Sequence, residues 1–192
     1  MFFATSRAIS WAAVATGVVA LVVRTADVPV QAVQAVQAAP PAPPPSHWLS
    51  TDTKAHTAAL TLIAGYTNAL EGFNFDGYGK GAMIVSIPSG YRVTIVYQNR
   101  GEYPHSVLVT PYAKKDLREG WPIAFRGAVS TDPANGAAQG ATQRFSFVAD
   151  KVGAYAIICA VSGHEQLGMW DVLRVTRGGT PTVAVYKGRS RG

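Results

Sequence analysis

One loop of the sequence concentrates side chains that could bind a soft metal ion. Cys159, His164 and Met169 follow one another at intervals of five residues. His105 lies far upstream, at the head of another predicted strand. A thiolate, two imidazoles and a thioether together form the donor set of type 1, or blue, copper sites. These four residues are therefore the candidate ligands of one copper ion.

This mixed donor set suits the transfer of single electrons. The two sulfur donors favour Cu(I), whereas imidazole accepts both Cu(I) and Cu(II). A fold that fixes such a set lets the ion change oxidation state with little rearrangement, and small rearrangement makes electron transfer fast. A metal-bound thiol is deprotonated, so Cys159 would serve as a thiolate. The donor set thus predicts a one-electron carrier.

The chain offers few other residues for a metal site. It has one cysteine and four histidines, and the two spare histidines are His47 and His56. A single cysteine excludes an intramolecular disulfide, a binuclear copper centre and cysteine-rich zinc or iron–sulfur sites. Two spare histidines are too few for the further copper sites of multicopper oxidases or nitrite reductases. With no hydrolytic triad or phosphate-binding glycine loop either, we predict no enzymatic activity. A copper carrier or chaperone remains the alternative function.

Short strands must position these ligands. Alternating apolar and polar residues predict six strands and a candidate seventh, at residues 82–87, 91–98, 105–110, 143–149, 155–159, 170–176 and 182–186. The turn residues between them indicate an all-β Greek-key sandwich or barrel. Residues 112–140 lack a regular pattern and are expected to form a long surface excursion.

One helix is expected ahead of the strands. Residues 50–53 offer several N-cap side chains, apolar residues follow from Ala58 to Leu70 at helix-compatible spacing, and Gly72 would end the helix. We therefore assign residues 48–72 to a helix that leads into the β-domain. That domain is expected over residues 73–177, with a C-terminal extension over residues 178–192.

The first 47 residues have the pattern of an export signal and a linker. Residues 8–23 are uncharged and mainly apolar, and Arg7 and Arg24 flank them. This pattern predicts a signal anchor or a cleaved signal peptide over residues 1–25. Residues 26–47, rich in Pro, Ala and Gln, would form a tether. The expected location is therefore extracytoplasmic, with the domain anchored to the membrane or secreted.

The net charge of +6 is scattered along the chain. No cluster of Lys and Arg carries interleaved aromatic residues, so nucleic acid is not an expected partner. We expect the domain to be a monomer.

Several segments carry a family resemblance: YPHSVLV, FSFVADKVGAYAIIC and the ligand loop CAVSGHEQLGM. They resemble the cupredoxins, most of all the sulfocyanins and more distantly rusticyanin, over residues 73–176. The resemblance implies one type 1 copper ion bound by His105, Cys159, His164 and Met169. It also implies a one-electron shuttle outside the cytoplasmic membrane, with a cytochrome or a terminal oxidase of a respiratory chain as its redox partner. Many cupredoxins have Asn after the first histidine, where this chain has Ser106. The sequence therefore leaves open what ties the two ligand loops together.

Overall fold

The computed structural model describes residues 45–186 of the 192-residue chain. This part forms nine strands: β1 Leu49–Asp52, β2 Thr57–Ala64, β3 Met83–Pro88, β4 Tyr91–Asn99, β5 Leu108–Pro111, β6 Thr142–Ala149, β7 Gly153–Ile158, β8 Trp170–Thr176 and β9 Thr182–Val185. Three short 3-10 helices accompany them: Pro45–Trp48, Ala69–Gly72 and Tyr112–Lys114.

The strands form two sheets around one core. The first sheet has the order β1-β2-β4-β6 and the second the order β5-β7-β8-β3-β9. Two neighbouring pairs, β2 with β4 and β3 with β8, are parallel. Buried side chains of both sheets pack in a single cluster that includes Leu60, Ile95, Phe147, Val85, Ile157 and Leu173. The expected all-β fold of two packed sheets is confirmed.

The helix predicted over residues 48–72 is wrong. β1 and β2 form an antiparallel hairpin in its place, and β2 pairs with β4 along its whole length. Ala58, Leu60 and Leu62 are buried and alternate with less buried neighbours, which is the period of a strand. The same apolar residues also satisfy a helical spacing over so short a run, and tertiary pairing decides between the two.

The supposed N-cap residues at 50–53 include the residue that turns this hairpin. Asp52 accepts the backbone N–H groups of Lys54 and Ala55 through Oδ1, both at 2.9 Å. An aspartate side chain makes the same kind of hydrogen bond at a helix N-cap and in a turn. The sequence signal was therefore real, but the element that follows it is a strand.

From residue 82 onward, the observed strands lie close to the predicted segments. The largest difference is in the segment 105–110, whose strand begins only at Leu108. β9 pairs with β3, so the second sheet extends into the region that was expected to be a C-terminal extension. Between β5 and β6 the chain is irregular, as predicted, apart from the helix Tyr112–Lys114 and two isolated bridges. It does not lie wholly on the surface, because Trp121, Phe125 and Ala128 are buried in the hydrophobic clusters.

The predicted signal segment, residues 1–25, lies outside the described residues, as does most of the tether over residues 26–47. Among residues 45–186, no helix is long and apolar enough to cross a membrane.

Candidate metal centre

Strand pairing brings the candidate ligands to one end of the second sheet. Cys159 directly follows β7, and β7 pairs with β5 so that Ile158 lies opposite Leu108. The segment that precedes β5, with His105, therefore runs beside the end of β7. Two further contacts hold His105 in place: a backbone bridge to Ala137 and a 2.7 Å hydrogen bond from the hydroxyl of Tyr97 to the His105 carbonyl.

Backbone hydrogen bonds close the ligand loop between β7 and β8. The N–H of Cys159 donates to the carbonyl of Met169 at 3.1 Å, and the N–H of Met169 donates to that of His164 at 3.0 Å. Gly163 has a φ of 87°, a left-handed conformation that glycine adopts without the steric cost of a side chain. The loop thus returns His164 towards Cys159.

Three of the four predicted ligands converge on one point. The Nδ1 atoms of His105 and His164 lie 3.1 Å apart. The Sγ of Cys159 lies 3.9 Å from the Nδ1 of His105 and 3.4 Å from that of His164. Neither His47 nor His56 belongs to this group.

The spacing of these donor atoms fits a shared metal ion. Bonds from a first-row ion such as zinc to imidazole nitrogen and thiolate sulfur measure about 2.0 and 2.3 Å. Two donors on one ion can therefore lie no more than roughly 4.3 Å apart, the separation of a linear nitrogen–metal–sulfur arrangement. All three observed separations fall below this limit and leave room for a trigonal site, so the residues fit one type 1 copper ion.

Burial prepares the imidazoles for metal binding. His105 is fully buried and His164 is 9% exposed. Loss of solvation and, to a smaller extent, the neighbouring His164 together lower the pKa of His105 to about 4. Burial also lowers the pKa of His164. Both rings are therefore neutral at neutral pH, which is the form that binds a metal.

The pKa of the Cys159 thiol is subject to opposing effects. Burial raises its pKa, while hydrogen bonds from Ser106 and the backbone of Val161 act in the opposite direction. In the protein alone the protonated thiol is thus favoured, and a bound metal would displace that proton.

Met169, the predicted fourth ligand, lies at the end of the ligand loop, directly before β8. Its side chain is fully buried in the core cluster that also contains Cys159, and its backbone bonds to both Cys159 and His164. The role of Met169 as fourth ligand stays a prediction.

Ser106 ties the two ligand segments together. Its backbone N–H points to the Sγ of Cys159 at 3.3 Å. Its hydroxyl oxygen accepts the N–H of Ala160 at 2.9 Å and lies 3.7 Å from Sγ. The contact that the sequence left open is thus made by the serine itself.

Phe73 is the contact residue that sequence reasoning missed. Its ring meets the ring of His164 edge-on, with centroids 4.7 Å apart, and that of His105 at 6.1 Å. It leaves only 9% of its surface exposed. No local pattern indicated this position, because Phe73 follows an irregular turn and reaches the ligands only through the tertiary fold.

The surface excursion supports the ligand loop from outside. The ammonium group of Lys115 lies 4.3 Å from the ring centroid of Trp170, directly after Met169. The side chain of Gln166 donates to the carbonyl of Leu117 at 3.3 Å. Glu165, next to His164, is only 4% exposed, and burial raises its pKa.

A two-sheet β-fold with a buried His–Cys–His cluster at one end of a sheet defines the class of the cupredoxins. A family model described as the Sulfocyanin (SoxE) domain matches residues 44–185, more than half of the chain. The chain belongs to the sulfocyanin family. It is similar to the sulfocyanin of Sulfolobus acidocaldarius, with 28% identity over 136 residues that cover 67% of this chain and 68% of the relative.

Two solved structures resemble the fold. Reduced auracyanin from Roseiflexus castenholzii is 19% identical and matches 62% of this chain and 96% of its own, with a TM-score of 0.44. Rusticyanin from Thiobacillus ferrooxidans is 17% identical and matches 68% of this chain and 88% of its own, with a TM-score of 0.43. At these scores neither structure adds to the assignment, which comes from the family model.

Proposed function

We propose that this protein is a type 1 copper electron carrier that exchanges single electrons with respiratory-chain partners outside the cytoplasmic membrane. The observation that supports it most directly is the convergence of His105, Cys159 and His164 within 3.9 Å of one another. When bound, copper supplies a one-electron couple that needs little rearrangement in a fixed donor set. The protein contributes the buried donors and keeps water away from them.

The decisive experiment is a visible spectrum. Residues 46–192, which include all nine strands of the described structure, are produced without metal, and Cu(II) is then added. We expect an intense blue band that Cys159→Ser abolishes, because that band comes from thiolate–copper bonding. A colourless wild type that still binds Cu(I) tightly would instead support the copper carrier.

Met169 is proposed as the weak axial ligand. Met169→Leu removes the thioether but keeps the volume of the side chain in the core. Because the axial donor tunes the potential of a type 1 site, the variant should stay blue and have a higher reduction potential. An unchanged potential would remove Met169 from the ligand set.

Leu167 is proposed as the tip of a docking patch for the redox partner. It lies three residues after His164 and is 48% exposed. Other large apolar side chains are equally exposed, so its place in the ligand loop, and not its exposure alone, suggests docking. Electron-transfer encounters use small interfaces. Leu167→Asp should therefore slow transfer to a partner while leaving the blue spectrum unchanged. An equal rate in the variant would exclude the patch.

The extracytoplasmic location and the membrane anchor rest on the N-terminal sequence. The apolar segment and the Pro-rich tether would hold the domain near the outer surface of the membrane, where it could reach a cytochrome or a terminal oxidase. Fractionation of the cells that produce the full-length chain tests this proposal. Recovery of the protein with the cytosol would contradict it.

A further inference from the structure

An exposed aromatic ring is linked to the metal centre through a second ring. Tyr103 lies in the β4–β5 connection and is 52% exposed. Its ring stacks on Phe73, with centroids 5.5 Å apart and planes 12° from parallel. Phe73 in turn lies against the imidazoles of His164 and His105. Rings therefore lie in contact from the surface to both histidine ligands.

The loop that carries Tyr103 is firmly held. Asn99 is 1% exposed, and its side-chain amide donates to the carbonyl of Tyr103 at 2.8 Å. Its Oδ1 accepts the N–H of Gly101 at 2.9 Å. The exposure of Tyr103 is thus a property of a fixed loop and not of a frayed segment.

Other exposed tyrosines lack this connection. Tyr112 is 38% exposed, and its ring pairs with Trp170 and Lys115 instead of a ligand imidazole. Tyr186 is 70% exposed and follows β9. A single exposed aromatic residue is ordinary on a protein surface. What distinguishes Tyr103 is the stack of rings beneath it.

A recess of about 370 Å³ opens beside Tyr103. Its lining includes His105 and six other polar residues: Thr67, Asn68, Glu71, Arg100, Glu102 and Gln139. A cavity of this size is in the range that holds a small planar molecule or part of a larger one. Two acidic groups and one basic group give the recess little net charge, so shape and ring stacking would dominate recognition.

We propose that Tyr103 and this recess form a second docking surface, for a redox partner that presents the flat, conjugated edge of a one-electron cofactor such as haem. The inference rests on the proposed electron-carrier function. One electron passes between the partner and the centre along Tyr103, Phe73 and the imidazole of His164. The partner loses the electron that the centre gains, or the reverse, and no covalent bond forms or breaks.

Stopped-flow reduction of the full-length, copper-loaded chain tests the surface. A ferrous haem peptide, used without oxygen, is the flat donor, and hexaammineruthenium(II) is the compact donor. Tyr103→Leu removes the ring, whereas Tyr103→Phe keeps it. We expect Tyr103→Leu to slow reduction by the haem peptide severalfold and reduction by the ruthenium complex much less. Tyr103→Phe and the control Tyr186→Leu should react like the wild type. Equal rates for Tyr103→Leu and the wild type would overturn the proposal.

A second variant tests the recess without altering the rings. Gln139→Trp places a large side chain in the recess. It should slow reduction of the protein by the haem peptide, as Tyr103→Leu does. Binding is measured separately by chemical-shift mapping of the reduced protein with ferrous haem peptide, a mixture in which no net electron transfer occurs. Shifts are expected at Tyr103 and Phe73, and shifts confined to the region of Leu167 would overturn the proposal.

The electron-carrier function and the docking surface can be tested separately. The blue band and the reduction potential are recorded for each protein before its kinetics. If both are present and unchanged in Tyr103→Leu, the electron-carrier function stands and only the docking surface is tested. A wild type without a blue band would remove the proposed function itself.

Discussion

The metal centre and a pair of aspartates, Asp76 and Asp171, are both polar clusters that the fold removes from water. In the metal centre, burial lowers the pKa of the histidines and leaves neutral donors that face one another. At the aspartates, burial raises the pKa of Asp76 to about 8 and that of Asp171 well above its ordinary value. The charge of Asp76 raises the pKa of Asp171 further. The carboxyl of Asp76 is therefore mainly protonated at neutral pH, and that of Asp171 holds its proton more tightly than an ordinary aspartate does.

The two clusters differ in where their atoms point. Asp76 accepts the N–H of Ile63 through Oδ1 at 2.8 Å, and Asp171 accepts that of Met83 in the same way at 2.9 Å. In the described part of the chain, the second oxygen of each has no hydrogen-bond partner. The carboxyls thus fasten backbone segments to each other, whereas the ligands turn their donor atoms to a common point. Convergence of donors, and not burial alone, marks the metal site.

Removing one converging donor should have the largest effect. His105→Ala leaves two of the three clustered donors, and we expect it to abolish the blue band on addition of Cu(II). His56→Ala is the matched control, because His56 is exposed and outside the cluster. Visible absorption and copper content measure both variants. A blue His105→Ala protein would show that the cluster is not the copper site.

Replacing Asp171, one of the two buried aspartates, should reduce stability and leave the blue absorption band unchanged. Asp171→Ala strands the buried N–H of Met83, at a cost of about 1–3 kcal/mol. Asp171→Asn keeps an acceptor oxygen and carries no charge to bury, so it should lose less. Urea unfolding of the metal-free protein compares the two variants. Loss of copper binding in Asp171→Asn would contradict the separation of the two clusters.

The ligands were predictable from sequence because their chemistry is rare in this chain. One cysteine and four histidines left few choices, and the loop from Cys159 to Met169 has a spacing that one ion can span. The strands after residue 82 were predictable because turn residues separate them clearly. The hairpin of β1 and β2 was not predictable. Its apolar residues fit the period of a helix as well as that of a strand, and β4, with which β2 pairs, lies over thirty residues away.

Other features depend on contacts that no local pattern encodes. Phe73 reaches the imidazoles from the end of the short 3-10 helix Ala69–Gly72. Glu165 is buried close to Lys115 and Asp116 of the excursion, which lie about fifty residues earlier in the chain. The aspartate pair was invisible for the same reason: Asp76 and Asp171 are nearly a hundred residues apart, and their burial follows from the packing of both sheets.

Asp76 should make the stability of the metal-free protein depend on pH. Its pKa is about 8 in the folded state and 3.8 ordinarily, so the folded state binds this proton more tightly. The contribution of Asp76 to the free energy of unfolding is fully present below about pH 4 and is lost as the pH rises towards 8. Each pKa unit of difference is worth about 1.4 kcal/mol, so even a fraction of this shift is measurable.

The matched variant for this prediction is Asp76→Asn, which cannot ionise but keeps an acceptor for the N–H of Ile63. Urea unfolding at several pH values between 4 and 8 should show a smaller decline in the variant than in the wild type. Equal slopes would mean that Asp76 does not hold its proton in the folded protein.

The smallest expected effect concerns Ser106, whose hydroxyl binds the backbone of Ala160 and also lies near the sulfur of Cys159. Ser106→Ala strands the N–H of Ala160, at a cost of about 1 kcal/mol. It also removes a hydroxyl 3.7 Å from the sulfur of Cys159, while the stronger backbone N–H contact at 3.3 Å remains. Hydrogen bonding around the sulfur tunes the potential of a type 1 site, so a small shift is expected.

Ser130 separates these two contributions. Its hydroxyl oxygen accepts the N–H of Val107 at 3.0 Å and is buried, as that of Ser106 is, but the described contacts do not connect it to Cys159. Ser130→Ala should therefore lose similar stability in urea and leave the reduction potential unchanged. If both variants shift the potential equally, the effect of Ser106 is a general loosening of the fold. If only Ser106→Ala does, its hydroxyl acts on the copper–sulfur bond directly.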